Sequence, residues 1–430
     1  MTFTNIISAI GNNSSIYPLL VRDCFIEAPS KILIARRENM KESREVANDA
    51  TRERFIDEYA TSAIWLGGIP ATEAVMDKFI RRKSFNPDVN IKLFKAEQSA
   101  IAEDIVQGIE YNIKKFSKFT QKDVQDAVND LIKVKNNKPA YEKLLTKKFA
   151  AATIIPTIIM GFVLPPLNYA LTRKLRSQKA QDKNIQKSIN SNSEYYASFK
   201  GFVPNKNLTF TGNLTSTIAN LRTVDKMAIS DGGLTVGRVS TSRNKEEAYV
   251  NGFRMVGSMI LNFVTPVYIA KGLDKLANKL FGINVNLDPK ILDNKEFISE
   301  IKAGNVNLPK SNSPKDIIDF LDENPKSLFA KFAQELKKVT YLDSGIRDPR
   351  KFVDVDDLAS FKKEFESFIQ LAKKSKNIES FAKKAKAVKS VNILANIGIS
   401  SFLLAVALPK AQYLFNKTVT GSYQDPGLRK

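Results

Sequence analysis

The stretch FAAATIIPTIIMGFVLPPLNYAL, residues 149–171, runs for 23 residues without a charged side chain. At a helical rise of about 1.5 Å per residue, a helix of this length crosses a hydrocarbon core of roughly 30 Å. The stretch therefore predicts a membrane-spanning helix. This prediction places the protein at a lipid bilayer.

Three further apolar stretches occupy residues 59–80, 255–270 and 390–409. Residues 390–409 are uncharged throughout, whereas residues 255–270 are short and span only if Arg254 and Lys271 extend their stems to the headgroups. Residues 59–80 contain two acids, so a buried helix of a soluble bundle is the alternative there. We expect a mainly α-helical membrane protein with about four apolar helices and helical soluble regions.

Each apolar stretch contains a proline, which removes a backbone hydrogen bond and clashes with the preceding turn. Helix kinks are therefore expected near Pro70, Pro165, Pro266 and Pro409. Four kinks are compatible with a hinged or re-entrant bundle that lines a path. The simpler explanation, which we prefer, is that proline and glycine are commoner in membrane helices than in soluble ones. Basic residues flank both ends of most stretches, so the positive-inside rule gives no orientation.

The apolar stretches align in alternate pairs, which indicates a duplicated two-helix unit. Chance similarity between apolar segments is the alternative. If the duplication is real, both halves share one orientation, because each contains an even number of crossings. The aligned positions are Ser62 and Pro70 with Ser258 and Pro266, and Pro165 and Tyr169 with Pro409 and Tyr413.

The composition divides the chain into five regions. We predict an N-terminal amphipathic region (1–58), a first helical pair with intervening soluble helices (59–171), a polar connecting region (172–254), a second helical pair with a larger soluble insert (255–417) and a C-terminal tail (418–430). The connecting region is rich in Asn, Ser, Thr and Gly, which favours loop with a few short strands. Within it, Asp231-Gly232-Gly233 lacks the Gly-Lys-Ser/Thr ending of a phosphate loop and is interpreted as a turn.

The formal charge of +21 favours an anionic partner, either lipid headgroups or nucleic acid. A helix with Phe361, Phe365 and Phe368 on one face and lysines on the others suits a bilayer surface, or its phenylalanines enter an ordinary core. We expect the partner to be a bilayer with anionic headgroups and consider nucleic acid unlikely. The possible headgroup contacts are Lys383, Lys384, Lys386 and Lys389.

Two residue types are informative by their scarcity. Histidine is absent, which excludes Ser-His-Asp and Cys-His catalysis and metal sites that need imidazole. The single cysteine, Cys24, excludes an intramolecular disulfide and a cysteine-cluster metal site. No catalytic, cofactor-binding or metal-binding residue is predicted, and we expect a protein that is not an enzyme.

Glu73 and Asp77 form a possible intramembrane polar site, because residues four apart share one face of a helix. Carboxylates inside a bilayer are costly and mark ion or proton paths, here with Lys78 or Lys275 as possible partners. If the helix lies at the interface, the two carboxylates are simply solvated.

Three functions remain open from sequence. The first is a scaffold or membrane-organising role in a bacterial cytoplasmic membrane, with the soluble regions facing the cytoplasm. A transporter or channel is the main alternative, for which polar groups converging on one cavity would be the distinguishing feature. A soluble basic nucleic-acid-binding protein is the other, and it would show steeply salt-dependent binding.

Overall fold

The computed structural model describes residues 3–11, 20–99, 106–185, 223–283 and 286–429. These residues are mainly helical, and within them the sole β-type pairing is an isolated antiparallel bridge between Tyr341 and Arg347. The prediction of a mainly α-helical chain is confirmed.

The helices fall into a long-helix bundle and two inserts between bundle helices. The bundle contains α1 (Phe3–Gly11), α2 (Ala28–Asn39), α3 (Arg44–Ala63), α4 (Ile69–Arg82), α8 (Lys138–Phe149), α9 (Ile155–Ile158), α10 (Leu164–Ile185), α11 (Thr223–Ser240), α12 (Lys245–Phe263), α13 (Thr265–Phe281), α19 (Ile378–Phe402) and α20 (Leu408–Thr420). The first insert, residues 83–137, contains α5 (Lys92–Ser99), α6 (Ile109–Phe116) and α7 (Lys122–Asn136). The second insert, residues 282–377, contains α14 (Pro289–Leu292), α15 (Lys295–Ala303), α16 (Pro314–Glu323), α17 (Leu328–Glu335) and α18 (Val355–Lys374).

Three composite helices are long and apolar enough to cross a membrane. They are Lys138–Gln178, Lys245–Phe281 and Ile378–Thr420, of 41, 37 and 43 residues. They contain three of the four apolar stretches identified from sequence. The fourth stretch, residues 59–80, lies on the continuous helical run from α3 to α4, and its crossing of a membrane stays a prediction.

The helical hydrogen-bond pattern changes immediately before each predicted kink. π-Helical segments precede Pro70 (Ile64–Gly68), Pro165 (Ile159–Val163) and Pro409 (Leu403–Ala407). Before Pro266, α12 ends at Phe263 and Val264 separates it from α13. A proline has no amide hydrogen to donate, and wider turns of this kind rearrange the carbonyls that it leaves without a donor. The size of any bend at these prolines stays a prediction.

The bundle and the inserts differ in which side chains they expose. Large apolar side chains such as Leu167, Val256, Tyr268 and Phe402 are exposed along the bundle helices. Among the described residues of the two inserts, Ile132 is the single exposed large apolar side chain. An extensive apolar surface of this kind marks contact with a membrane or another protein, whereas the insert surface is that of a solvated domain.

The two inserts pack together at one end of the bundle. Asn112 of the first donates to the carbonyl of Pro349 in the second at 2.8 Å, and Gln107 donates to the carbonyl of Val353 at 2.7 Å. Phe361, Phe365, Phe368 and Ala372 of α18 are buried in the core of the second insert. The core interpretation of this phenylalanine face is therefore confirmed, and the face does not lie on a bilayer surface.

The connecting region contains two helices, so the prediction of loop and short strands over it is wrong for residues 223–251. The glycines that suggested a turn lie inside α11. A Cβ on Gly237 would lie 2.7 Å from the backbone of Gly161, and one on Gly233 would lie 2.7 Å from the Thr157 side chain. Small residues at four-residue spacing let membrane helices pack closely, and that packing stabilises α11 as a helix. Residues 186–222 lie outside the described ranges.

Replacing Gly237 by alanine is expected to destabilise the protein, because backbone atoms of Gly161 cannot move aside cheaply. Overpacking typically costs about 1–3 kcal/mol. The matched control is Gly232→Ala in the same helix, where a Cβ meets no atom within 4 Å and alanine improves helix propensity by about 1 kcal/mol. Thermal unfolding in detergent should show a lower midpoint for Gly237→Ala only; equal midpoints would contradict the close crossing.

A buried ion pair joins the inserts. The fully buried Arg347 side chain donates to both carboxylate oxygens of Asp322, at 2.7 and 3.2 Å, and Lys115 of the first insert lies 2.8 Å from the same carboxylate. Burial disfavours the charged form of Asp322, but Arg347 and Lys115 outweigh this effect and hold its pKa below the ordinary value. The carboxylate is thus stabilised in its charged form by cations from both inserts.

This pair predicts a loss of stability in acid. The pKa of Asp322 is lower in the folded than in the unfolded chain, so its contribution is present above the unfolded value of about 4 and is lost as pH falls below it. Asp322→Asn should lower the unfolding midpoint near neutral pH, since it leaves Arg347 buried without a counter-ion, which costs about 3–5 kcal/mol. The midpoint should also fall less steeply on acidification than in the wild type. The control Asp319→Asn removes a more exposed carboxylate, 3.6 Å from Lys115, and should behave like the wild type.

Candidate functional site

The bundle encloses a polar cavity of about 60 Å³ on the side away from the inserts. Four acidic and four basic side chains line it, so the lining is balanced in formal charge. The helices that form the wall are α3, α10, α11, α12 and α20, together with the C-terminal 3₁₀ turn Pro426–Leu428. The lining residues are Ala50, Glu53, Arg54, Asp57, Pro165, Asn168, Tyr169, Arg238, Arg243, Glu247, Val250, Asn251, Arg254, Gln412, Asp425 and Pro426.

Arg243 organises one part of the cavity. Its guanidinium donates to both oxygens of Glu53 at 2.9 Å and to Glu247 at 2.7 Å. The ring of Tyr169 lies under the guanidinium, 4.0 Å away, in a cation–π contact. Asn244 begins α12 by accepting a hydrogen bond from the amide of Glu247, which fixes this carboxylate beside the turn that carries Arg243. Two carboxylates therefore share one cation here.

Asp57 organises a second part of the cavity, where basic side chains outnumber acidic ones. Arg238 Nη1 lies 2.6 Å from Asp57 Oδ2, and Arg254 Nη1 lies 3.7 Å from the same oxygen. Arg238 also donates to the hydroxyl of Thr61 at 2.9 Å. Two guanidinium groups therefore share one carboxylate, one helical turn along α3 from Glu53.

A third cluster closes the cavity towards the C-terminus. Asn39 donates to Tyr413 Oη and to Asp425 Oδ2, both at 3.2 Å, and Tyr413 donates to the same Asp425 oxygen at 3.1 Å. The amide of Asp425 donates back to Asn39 Oδ1 at 2.9 Å. These bonds attach the C-terminal segment to the turn after α2.

Charged side chains continue beyond the cavity on two sides. Lys31 of α2 lies 3.3 Å from Glu58 and 2.9 Å from Glu27. On the other side, Arg176 of α10 lies 2.6 Å from the buried Asp49. The cavity is thus part of a wider network of ion pairs inside the bundle.

The cavity lies at the level of outward apolar side chains. On α12, Phe253 and Val256 are exposed, whereas Arg254 between them points inward to Asp57. On α3, the exposed Phe55 lies between the cavity residues Glu53 and Asp57. The apolar side chains of these helices face outward while the charges at the same height face the interior.

An apolar plug lies next to the cavity on the side of the inserts. It consists of the buried Met160, Leu234 and Met255, with Ile64 and Trp65 packed against them. Leu234 is one helical turn from Arg238, and Met255 is one turn from Asn251, in both cases towards the inserts. The polar interior is therefore interrupted by an apolar layer about one turn, roughly 5–6 Å, further along the bundle.

Three buried polar atoms of the cavity lining have no hydrogen-bond partner in the described structure. They are Nε of Arg238, Nε of Arg254 and Oδ1 of Asn168. Buried donors and acceptors normally have partners, either protein atoms or ordered water. Two donors and one acceptor of the lining are thus left unsatisfied by the protein.

Three of the four acidic side chains of the cavity contact guanidinium groups, and the fourth, Asp425, accepts hydrogen bonds from Asn39 and Tyr413. Glu53 and Glu247 contact Arg243, and Asp57 contacts Arg238. In the ranges that the structure describes, no set of three or more cysteine or acidic side chains is arranged to hold a metal ion. The contacts described in the cavity are ion pairs, hydrogen bonds and one cation–π contact.

The residues predicted for a polar site lie elsewhere. Glu73 is exposed, and Asp77 lies 2.5 Å from Lys148, a partner that the sequence analysis did not consider. Neither lines the cavity. The charged cavity residues instead come from the stretches interpreted as an amphipathic terminus, a connecting region and, for Asp425, the C-terminal tail.

The four lysines predicted to contact headgroups divide into two pairs. Lys386 lies 2.7 Å from Asp293, and Lys389 donates to Asn286 at 3.3 Å. Lys383 and Lys384 are exposed. Headgroup contact stays a prediction, and it suits the exposed pair better than the pair with partners inside the protein.

One signal in the sequence could have located the cavity. Asp49, Glu53 and Asp57 follow each other at four-residue spacing, which puts three carboxylates on one face of α3. A row of carboxylates on a helix next to apolar segments needs cations from neighbouring helices. Their partners Arg176, Arg243 and Arg238 are far away in the chain, so the pairing itself was not visible in the sequence.

Comparison with known proteins gave no match: no family model, no curated protein and no solved structure is significantly similar to this chain. The function is therefore argued from the geometry of the cavity and its surroundings.

The Arg243 cluster predicts a stability effect that depends on one side chain. Arg243→Gln should lower the unfolding midpoint in detergent by several degrees, because Glu53 and Glu247 would then lie buried without a shared cation, at a cost of about 3–5 kcal/mol. Lys245→Gln is the matched control, since Lys245 is exposed two residues away and no acidic side chain in the described part of the chain lies within 4 Å of its ammonium group. If both variants unfold at the same temperature, the cavity charges are solvated and the network is not buried.

Proposed function

We propose that this chain is an integral membrane protein that moves small polar solutes through its polar cavity. The observation that supports this most strongly is the cavity itself, where charged side chains converge inside the bundle at the height of outward apolar side chains. Ionisable groups in the interior of membrane bundles are costly and typically serve transport or signalling.

The arrangement of the cavity and the plug supports a gated path. Glu53, Arg243 and Arg254 keep between 12 and 16% of their side-chain surface exposed, so solvent reaches the cavity. The apolar plug blocks the way onward to the inserts. Met160 of the plug belongs to the π-helical segment before Pro165, and Ile64 and Trp65 to the one before Pro70. The backbone torsion angles of such π-helical turns can change when the helices rotate to open and close a path.

The predicted duplication also supports this proposal. The hairpin of α2 and α3 and that of α11 and α12 have turns of equal length, residues 40–43 and 241–244, and each second helix has a side-chain cap. The segments Ile159–Val163 and Leu403–Ala407 precede Leu164-Pro165 and Leu408-Pro409 in the same way. Both inserts lie at one end, as two halves of like orientation require. Transporters built from repeats bind solutes between their halves, and this cavity has walls from both.

The orientation that we propose puts the insert domain in the cytoplasm of a bacterial cell. The exposed Lys383 and Lys384 would then contact the anionic headgroups of the cytoplasmic leaflet. No catalytic step is part of this proposal.

A scaffold role is the second candidate, and the extent of charge pairing favours it. Most charges of the network contact an opposite charge within the protein, as in a rigid structural interior. A protein of this kind would present its one-sided insert domain to partners without moving a solute.

Membrane insertion is tested first, and solute passage is tested second. The protein should remain in the membrane fraction after a carbonate wash and leave it only in detergent. Purified protein in vesicles should then accelerate the recovery of volume after osmotic shock with small polar solutes, relative to empty vesicles. Release of the protein by carbonate would contradict the proposal that it is an integral membrane protein. If the protein is retained but vesicles that contain it are no more permeable than empty vesicles, the scaffold role is favoured.

A substitution in the apolar plug tests whether the solute path runs through it. Met255→Ser should raise passive solute flux, because a small polar side chain would hydrate the apolar layer beside the cavity. Val256→Ser is the matched control on the next residue of α12, whose side chain points outward. Equal flux through the two variants would show that the path does not run through the plug.

A further inference from the structure

The cavity is balanced in charge as a whole but polarised along α3. Near Asp57 there are two guanidinium groups, Arg238 and Arg254, for one carboxylate. Near Glu53 there are two carboxylates, Glu53 and Glu247, for one guanidinium. The other two charged lining residues, Arg54 and Asp425, balance each other in formal charge. The cavity therefore presents a surplus positive charge near Asp57 and a surplus negative charge near Glu53, about one helical turn, roughly 6 Å, apart.

The unpartnered atoms follow the same polarity. The free Nε–H groups belong to Arg238 and Arg254, on the positive side. The free acceptor Oδ1 belongs to Asn168, whose amide nitrogen donates to the carbonyl of Glu53 at 2.8 Å on the negative side. Arg238 and Asn168 are each more than nine-tenths buried, so these groups are built into the interior.

We infer that the cavity binds a small zwitterion with a carboxylate and an ammonium group, of the size of the smallest α-amino acids. The ligand carboxylate accepts from the guanidinium groups of Arg238 and Arg254, and the ammonium donates to the carboxylates of Glu53 and Glu247. This inference rests on the proposed function, since it names the solute class for the same cavity.

The size of the cavity supports a small ligand. A cavity needs about 10–15 Å³ to hold one buried water molecule. The cavity of about 60 Å³ therefore accommodates a ligand of roughly four to six non-hydrogen atoms. Glycine matches this space. A simple anion or cation would satisfy one side of the cavity and leave the surplus charge on the other unpaired, which is why a zwitterion fits better than either.

The test uses the full-length protein in detergent and three probes, glycine, acetate and methylamine, with thermal unfolding and calorimetry as the readouts. Glycine should raise the unfolding midpoint and give measurable heat, while acetate and methylamine at equal concentration should not. Stabilisation equal to that of glycine from acetate alone, or from methylamine alone, would overturn the zwitterion inference.

Variants locate the binding. Arg254→Gln should weaken glycine binding about tenfold or more through loss of a charged hydrogen-bond donor, and its 3.7 Å contact to Asp57 makes it less disruptive than Arg238 variants. Lys245→Gln should leave the affinity for glycine unchanged. If glycine binds equally to Arg254→Gln, the ligand site is not this cavity.

The inference and the proposed function fail in different ways. Vesicles that show protein-dependent flux of small solutes, with no glycine binding or glycine flux, would overturn the zwitterion and leave the transport proposal standing. Glycine binding without flux of any solute would support the site and overturn transport. Probe binding on the wild-type protein remains decisive even where a variant does not fold.

Discussion

Pairing of buried charges is the constraint on which the interior of the bundle depends. A carboxylate without a cation inside an apolar bundle either takes up a proton or draws in water, and both outcomes disrupt close helix packing. Here the carboxylates of α3 lie against guanidinium groups that come from α11 and from the turn between α11 and α12. The position of α3 among the apolar helices is therefore set by charge as much as by shape.

Close packing of small residues also fixes the positions of the helices that carry these charges. Where α11 crosses the chain near Gly161, no side chains separate the two backbones, and the hydroxyls of Thr157 and Ser230 lie 2.5 Å apart. Because this crossing fixes α11 at close range, it also fixes Arg238 at the inner end of the cavity. A looser crossing would move the guanidinium away from Asp57.

The sequence predicts the membrane segments well but not the cavity, for a physical reason. The apolar run at residues 149–171 carries its own signal, because its length and lack of charge depend on no other part of the chain. Asp57 and Arg238 carry no such signal, since each is typical of a solvated helix until the other is brought within 2.6 Å. Glu73 and Asp77 were predicted to form a polar site because they interrupt an apolar run. In the structure, Glu73 is exposed and Asp77 pairs with Lys148.

The joining of the two inserts also has a consequence for biosynthesis. The hydrogen bond between Gln107 and Val353 links residues that are 246 positions apart. At a ribosomal rate of about 5–20 residues per second, the first insert is made roughly 10–50 seconds before its partner. During this interval the apolar surface of the first insert that later packs against the second has no cover. Apolar surface exposed in this way is prone to aggregation until the second half of the protein is complete.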